Sequence, residues 1–208
     1  MSKLKNEIFS LCKQLENEFD QISSQRKNEL KILSEAILDA KTKFGKASII
    51  VICTHNSRRS HLGQIWLQVA SKYYGVEGVE VYSGGTEATA FNHRMINALK
   101  DTGFEISKET ETENPLYLIQ FLEEDVHKTL YFSKKFEQKV NPQKDFIAIM
   151  VCDSADANCP FVPGSFKRIS LPYKDPKDFD NTTNEAKAYS DKVREMGREM
   201  LFVLKFLK

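Results

Sequence analysis

No stretch of the 208 residues approaches the ~18 consecutive apolar residues that a transmembrane helix needs, so a membrane span is not expected. The opening MSKLKNEIFS alternates charge with apolar residues and lacks the unbroken apolar run of a secretory leader, which makes the cytoplasm the expected compartment. Charge of one sign is also missing. Thirty basic and 29 acidic side chains leave a formal net charge of +1, which argues against a broad nucleic-acid surface or a polybasic membrane anchor. Cysteine is sparse: Cys12, Cys53, Cys152 and Cys159 are too few, in a chain this rich in apolar residues, for a disulfide scaffold, and their spacing is not that of a zinc ribbon. The four histidines, His55, His61, His93 and His127, form no HExxH-like pair, and no metal site is expected. No motif marks a nucleotide, flavin, haem or nucleic-acid site. What remains is 41% hydrophobic and 28% charged residues, an ordinary composition for a globular protein with one sizeable core and room for an added arm.

Helical spacing dominates residues 1–44, where Leu4, Ile8, Leu11, Leu15, Phe19 and Ile22 recur every three or four positions. The pattern pauses at Ser23-Ser24 and resumes with Leu30, Leu33 and Ile37, which predicts two helices or one bent helix as an N-terminal arm. Cys12 falls on the apolar face as a small buried hydrophobe. Gly45 closes the arm, and residues 45–208 read as the catalytic domain. ASIIVIC, ending at Cys53, reads as a buried parallel strand, followed by an amphipathic helix from Ser60 to about Gly75. GVEVYS is a second strand, Asn92 to Thr102 a helix, DFIAIMV at 145–151 a third strand ending next to Cys152, and Asn184 to Leu207 a final helix. Such alternation predicts an α/β fold with a four-stranded parallel sheet and helices on both faces. Residues 115–133 interrupt it: LYLIQF and TLYFS flank Glu123-Glu124-Asp125 and predict an inserted β-hairpin.

The segment CTHNSRRS, residues 53–60, occupies the place where open α/β sheets bind ligands, past the carboxyl end of a strand. A short loop running into a helix N-terminus turns several backbone N–H groups into one concavity that suits a tetrahedral oxyanion. Thr54, His55, Asn56, Ser57, Arg58, Arg59 and Ser60 are the oxyanion-binding candidates, with Cys53 at the base as nucleophile. Asn56 and Ser57 suit the tight turn, and Ser60 is a candidate helix cap. Arg59 has a planar fork that can hold two anion oxygens at once. Arg58 is expected to face solvent or to shape the local field, and His55 is assigned no proton chemistry. Asp175, stiffened by Pro176, is the candidate acid for a leaving group.

CTHNSRRS resembles the loop of the low-molecular-weight protein tyrosine phosphatase family, and still more that of the thioredoxin-coupled arsenate reductases built on the same fold. The resemblance runs from about residue 47 to the C-terminus. It implies that Cys53 is the nucleophile, Arg59 the anion-binding arginine, Asn56 and Ser60 the loop organisers, and Asp175-Pro176 the general-acid pair. Ser83, Gly84 and Thr86 resemble the signature at the family's second strand. CDSADANCPFVPG, residues 152–164, is similar to the redox segment of the reductases, with Cys152 and Cys159 as the second and third cysteines. The implied relay passes from Cys53 to Cys152 to Cys159, with thioredoxin or a similar dithiol as external reductant and no bound cofactor. Its seven-residue span reads as a polar loop. Three departures stand out: His55 replaces a glycine, Gln64 replaces a glutamate that some members carry near a bound potassium, and Tyr173 alone stands where phosphatases often carry a tyrosine pair.

Arsenate reduction is therefore the leading expectation. The alternative is hydrolysis of phosphate monoesters, phosphotyrosine in proteins included, through a phosphoenzyme on Cys53. A third possibility, of another class, is a redox-responsive binding protein that uses the arm as its partner surface.

Overall fold

The computed structural model describes residues 3–124, 129–159 and 161–208. At its centre is strand β1 (Ala47–Cys53), in which all seven residues are buried. A run of β-branched residues with no polar alternation can be accommodated only where both faces of a sheet are covered. Helix α1 (Asn6–Glu16) and helix α2 (Ser24–Phe44) precede it, separated by a single 3₁₀ turn at Phe19–Gln21. Ser23 caps α2 by accepting from Arg26 N–H at 3.1 Å, and Gly45 ends it in the left-handed conformation, as the sequence predicts. The arm is not a separate appendage. Ile8, Leu11, Cys12, Leu15, Leu30, Leu33 and Ile37 belong to the same buried cluster as β1.

After β1 come helix α3 (Arg59–Tyr74), strand β2 (Val79–Gly85) and helix α4 (His93–Asp101). Strands β3 (Glu105–Lys108), β4 (Tyr117–Gln120) and β5 (Leu130–Tyr131) follow, then β6 (Phe146–Met150), helix α5 (Asp153–Asn158), β7 (Ser165–Ser170) and helix α6 (Glu185–Lys205). The main sheet has the order β2-β1-β6-β7 and is parallel throughout. Helix α3 packs on β1 and β2, α2 packs on β1, β6 and β7, and α6 packs against α1, α2, α3 and α4. Among the described residues no helix is long and apolar enough to cross a membrane.

The hairpin expected at 115–133 is present as β4 against β5, antiparallel, and the described residues add a third strand, β3, on its other side. Of the acidic turn, Asp125 lies outside the described residues. The expectation of a loop between Cys152 and Cys159 is overturned, because residues 153–158 form α5. A local cap and a tertiary tie explain the difference. Cys152 Sγ accepts from Ala155 N–H at 3.4 Å, and Arg168 donates to the carbonyls of Asp156 at 2.7 Å and Cys159 at 2.9 Å. Asp, Ser and Asn favour turns in isolation, but here the helix ends are supplied with partners from the strand next door.

Candidate active site

The carboxyl ends of β1 and β6 lie side by side, since Ile52 pairs with Met150 and Val151 N–H donates to Ile52 C=O at 2.9 Å. The loop after β1 turns on Asn56, whose φ of 44° is the left-handed conformation that asparagine tolerates better than most residues. Asn56 is fully buried and holds the loop from both ends of its amide. Its Nδ2 donates to Ser60 Oγ at 2.8 Å, and its Oδ1 accepts from Lys134 N–H at 2.8 Å. Ser60 Oγ in turn lies 3.1 Å from Cys53 Sγ. The expected capping role of Ser60 is therefore corrected: α3 begins at Arg59, no side chain caps it, and the Ser60 hydroxyl faces the sulfur instead.

Most of the loop's other side chains are committed elsewhere, which leaves the backbone to face an anion. Thr54 Oγ1 is 3.4 Å from Cys152 Sγ, and Ser57 Oγ donates to Ala90 C=O at 2.7 Å. His55 is half exposed, with its ring 3.5 Å from Glu87 and its carbonyl tied to Ser133 Oγ at 2.9 Å. The N–H groups of residues 55–58 donate to no acceptor among the described residues. They run into the N-terminus of α3, the arrangement that binds oxyanions. The loop also needs Gly85. A Cβ there would lie 2.6 Å from Thr54 C=O and 2.7 Å from Asn56 N, so the SGGT segment is a close-packing surface for the loop. Thr86 completes that contact by donating to Thr54 C=O at 3.2 Å.

Arg59 reaches the segment that follows β7. Its Nη1 donates to Tyr173 C=O at 2.8 Å and its Nη2 to Asp175 Oδ2 at 2.6 Å. Its Nε is buried and has no partner among the described residues. One edge of the guanidinium thus holds the Asp175 segment while the Nε edge remains for an oxyanion. Of the two roles expected for Arg58, facing solvent or shaping the local field, its surroundings fit the second. Its side chain is 14% exposed, donates to Tyr189 OH at 3.0 Å, and stands 3.9 Å from Asp175 and 3.7 Å from Asp180. The structure thus joins Cys53 to Ser60, Arg58 and Arg59 to Asp175, and Cys152 to Thr54 of the loop. Cys159 sits at the far end of α5, partly exposed, and the four cysteines are free thiols.

Residues 48–170 match the low-molecular-weight phosphotyrosine protein phosphatase family. The chain belongs to that family. Arsenate reductase 2 of Staphylococcus epidermidis is 33% identical over 131 residues, covering 63% of this chain and 79% of that protein. An arsenate reductase of Bacillus subtilis is 29% identical over 147 residues, covering 71% and 86%. Among solved structures, a low-molecular-weight phosphotyrosine phosphatase from Vibrio cholerae superposes with a TM-score of 0.52 at 14% identity, over 77% of this chain and 96% of that one. This phosphatase-family chain thus carries its cysteine at the family position, at the end of the first strand of the parallel sheet.

Two elements of support escaped the sequence reading. His61 is fully buried, stacks on Phe91 at 4.1 Å between ring centroids, and meets Ser83 Oγ through Nδ1 at 3.3 Å. Burial, reinforced by Lys134, holds its proton affinity well below the ordinary histidine range. Its place four residues before Ile65, on the apolar face of α3, was the available signal. Unfolding frees His61 to protonate below its ordinary value of about 6.5, so stability is full above that pH and falls as pH drops beneath it. The expected slope is about 1.4 kcal/mol per pH unit from this one group. Urea midpoints at pH 7, 6 and 5 check it: the acid-side loss should shrink in His61→Gln, and an unchanged slope would remove His61 as its source.

The second element is the arm. Arg26 of α2 donates through Nε to Glu199 Oε2 at 3.0 Å, its Nη2 reaches Pro172 C=O at 3.4 Å, and its guanidinium lies 4.6 Å over the Tyr173 ring. Tyr173 OH donates to the same Glu199 oxygen at 2.6 Å. The carboxylate of Glu199 is pushed up by burial, and Arg26 opposes that shift. The arm is therefore tied to the segment that presents Asp175.

Proposed function

We propose that this protein hydrolyses phosphate monoesters through a phosphocysteine on Cys53. The observation that carries the reading is the pairing of Arg59, six residues after Cys53, with Tyr173 C=O and Asp175, which supports a shared site for nucleophile, anion clamp and acid. The phosphoryl group enters between the loop N–H groups and the free Nε edge of Arg59 and separates Asp175 from Nη2. Cys53 Sγ attacks phosphorus, the S–P bond forms as the ester P–O bond breaks, and Asp175 gives its proton to the departing oxygen. Ser60 Oγ steadies the sulfur as its charge changes. A water then attacks phosphorus, Asp175 takes its proton, and phosphate leaves with the Cys53 thiolate restored.

Asp175→Asn tests the acid. It should lower kcat/KM, which reads the first chemical step, by roughly 10²-fold or more for esters with poor leaving groups while sparing kcat/KM for activated aryl phosphates. Equal losses across a leaving-group series would remove Asp175 from this role. Arg26→Met tests the brace. Losing it should lower kcat for the poor leaving groups by roughly tenfold with KM little changed, while Arg26→Lys recovers part of the loss; a fall in stability with full kcat would leave Arg26 structural only.

Arsenate reduction is the second reading, favoured by the place of Cys152 beside Thr54 and by the reductases among the relatives. Cys53 would form an arsenate ester with loss of water. Cys152 would attack Cys53 sulfur, so that two electrons pass to arsenic and arsenite leaves. Cys159 would then attack Cys152, freeing Cys53 and presenting a disulfide to a thioredoxin-like dithiol. This route asks more of the fold. Seven residues along a helix span about 10 Å, whereas disulfide Cα atoms lie roughly 4.4–6.8 Å apart, so α5 must unwind before Cys152 and Cys159 can join. Ester hydrolysis needs no such step, which is why it leads. Cys152→Ser separates the two, stopping arsenite release with a thioredoxin system while leaving aryl phosphate turnover intact.

A further inference from the structure

β2 is an edge strand of the main sheet, and its open side does not pair with the small three-stranded sheet. Between them lies a cavity of about 650 Å³, a size that suits a small organic ligand. None of the steps proposed for Cys53 uses it. Its walls are largely apolar, with Val81 on one side and Ile119, Phe121 and Leu130 on the other.

Of the charged residues on its lining, Lys72 and Glu77 are exposed and Glu80 is paired with Lys46, which leaves one that is buried. Lys134 borders this cavity with only 6% of its surface exposed. Among the described residues no carboxylate pairs with its ammonium, which lies 4.7 Å over the Phe132 ring and acts on His61. Buried charges are ordinarily paired, because losing water is costly when nothing replaces it. Burial draws this lysine down to about 8, so it still holds its proton at neutral pH. Gln64, on the same cavity, also has a buried Oε1 without a partner among the described residues. The polar end of the cavity is thus short of partners while its body is apolar.

We infer that this cavity binds a small carboxylate with an apolar tail, its carboxylate on Lys134 and its tail between β2 and the small sheet. Charge complementarity selects the head group, since an anion supplies the counter-charge that the protein does not. The apolar walls select the body. The site is also wired to the catalytic loop, because the main chain of Lys134 donates to Asn56 and accepts from Gly85 N–H at 2.8 Å. Occupancy should therefore register at Asn56 as well as in the cavity itself.

A charge series with a constant tail tests this on the full chain. Octanoate, octanol and octylammonium are titrated while amide resonances are followed by two-dimensional NMR. Octanoate should bind about tenfold or more tightly than octanol, with shifts clustered at Gln64, Val81, Lys134 and Asn56, and octylammonium should not bind there. Lys134→Met should bring octanoate down to the level of octanol, and Lys134→Arg should keep the preference. The wild-type comparison stands even where Lys134→Met does not fold. Equal binding of octanoate and octanol, shifts confined to the Cys53 loop, or a preference for octanoate that survives in folded Lys134→Met would each overturn the assignment.

Discussion

Cys53→Ser is expected to lower kcat/KM for aryl phosphates by roughly 10⁴-fold or more, because it removes the only proposed covalent acceptor. The substitution changes one atom at a buried strand end, and serine can still meet Ser60 Oγ across the 3.1 Å contact that Cys53 makes. The loop's hold on an anion rests on Asn56, the backbone N–H groups and Arg59, none of which is altered. Inorganic phosphate should therefore bind the variant about as well as the wild type. Calorimetric titration of phosphate alongside steady-state rates separates the two effects. A variant that loses phosphate binding along with turnover would point to a collapsed loop, and one that retains turnover would refute the role of Cys53.

Arg59→Lys is expected to cost roughly 10²- to 10³-fold in kcat/KM, the scale of losing a preorganised donor to transition-state charge. Three separate duties fall on this guanidinium. It holds Tyr173 C=O at 2.8 Å and Asp175 Oδ2 at 2.6 Å, and it leaves Nε for the oxyanion. An ammonium is a single point charge on a flexible stem and cannot serve two strands of contact and an anion together. Binding of inorganic phosphate should weaken, and the discrimination between good and poor leaving groups should grow as Asp175 loses its anchor. Near-native kcat/KM in Arg59→Lys would show that charge alone suffices and that the fork has no special part.

The strands that carry the site were legible because their chemistry leaves little choice. ASIIVIC and FIAIM are almost wholly apolar runs, and both are buried throughout. β7 was not legible. SFKRIS has one buried residue, Ile169, and lies at a sheet edge, where polar side chains remain in water. β3 is hidden for the same reason, as a four-residue strand whose side chains are mostly exposed. α5 was misread because its composition favours turns and its stabilising partner, Arg168, is distant in sequence. Cys53, Arg59 and the oxyanion loop were readable from local order, since a strand, six residues and a helix fix their relative placement. Asp175 was not readable in this way, because its approach to Arg59 joins positions 116 residues apart; the Asp-Pro turn offered it only as a candidate, which the family resemblance strengthened. Lys134 left no signal at all: one lysine in SKKF does not announce that its neighbours will enclose it.

The most direct test of the proposed chemistry is to trap the covalent intermediate. An aryl phosphate is mixed with wild-type protein and with Asp175→Ala, the reaction is quenched in acid within milliseconds, and the digested peptides are read by mass spectrometry. The account predicts a phosphoryl group on the peptide bearing Cys53, and on that cysteine in particular, with a larger fraction in the variant that cannot activate water. Turnover that proceeds with no phosphoryl group on Cys53 at any quench time, or with the group on another residue, would contradict it.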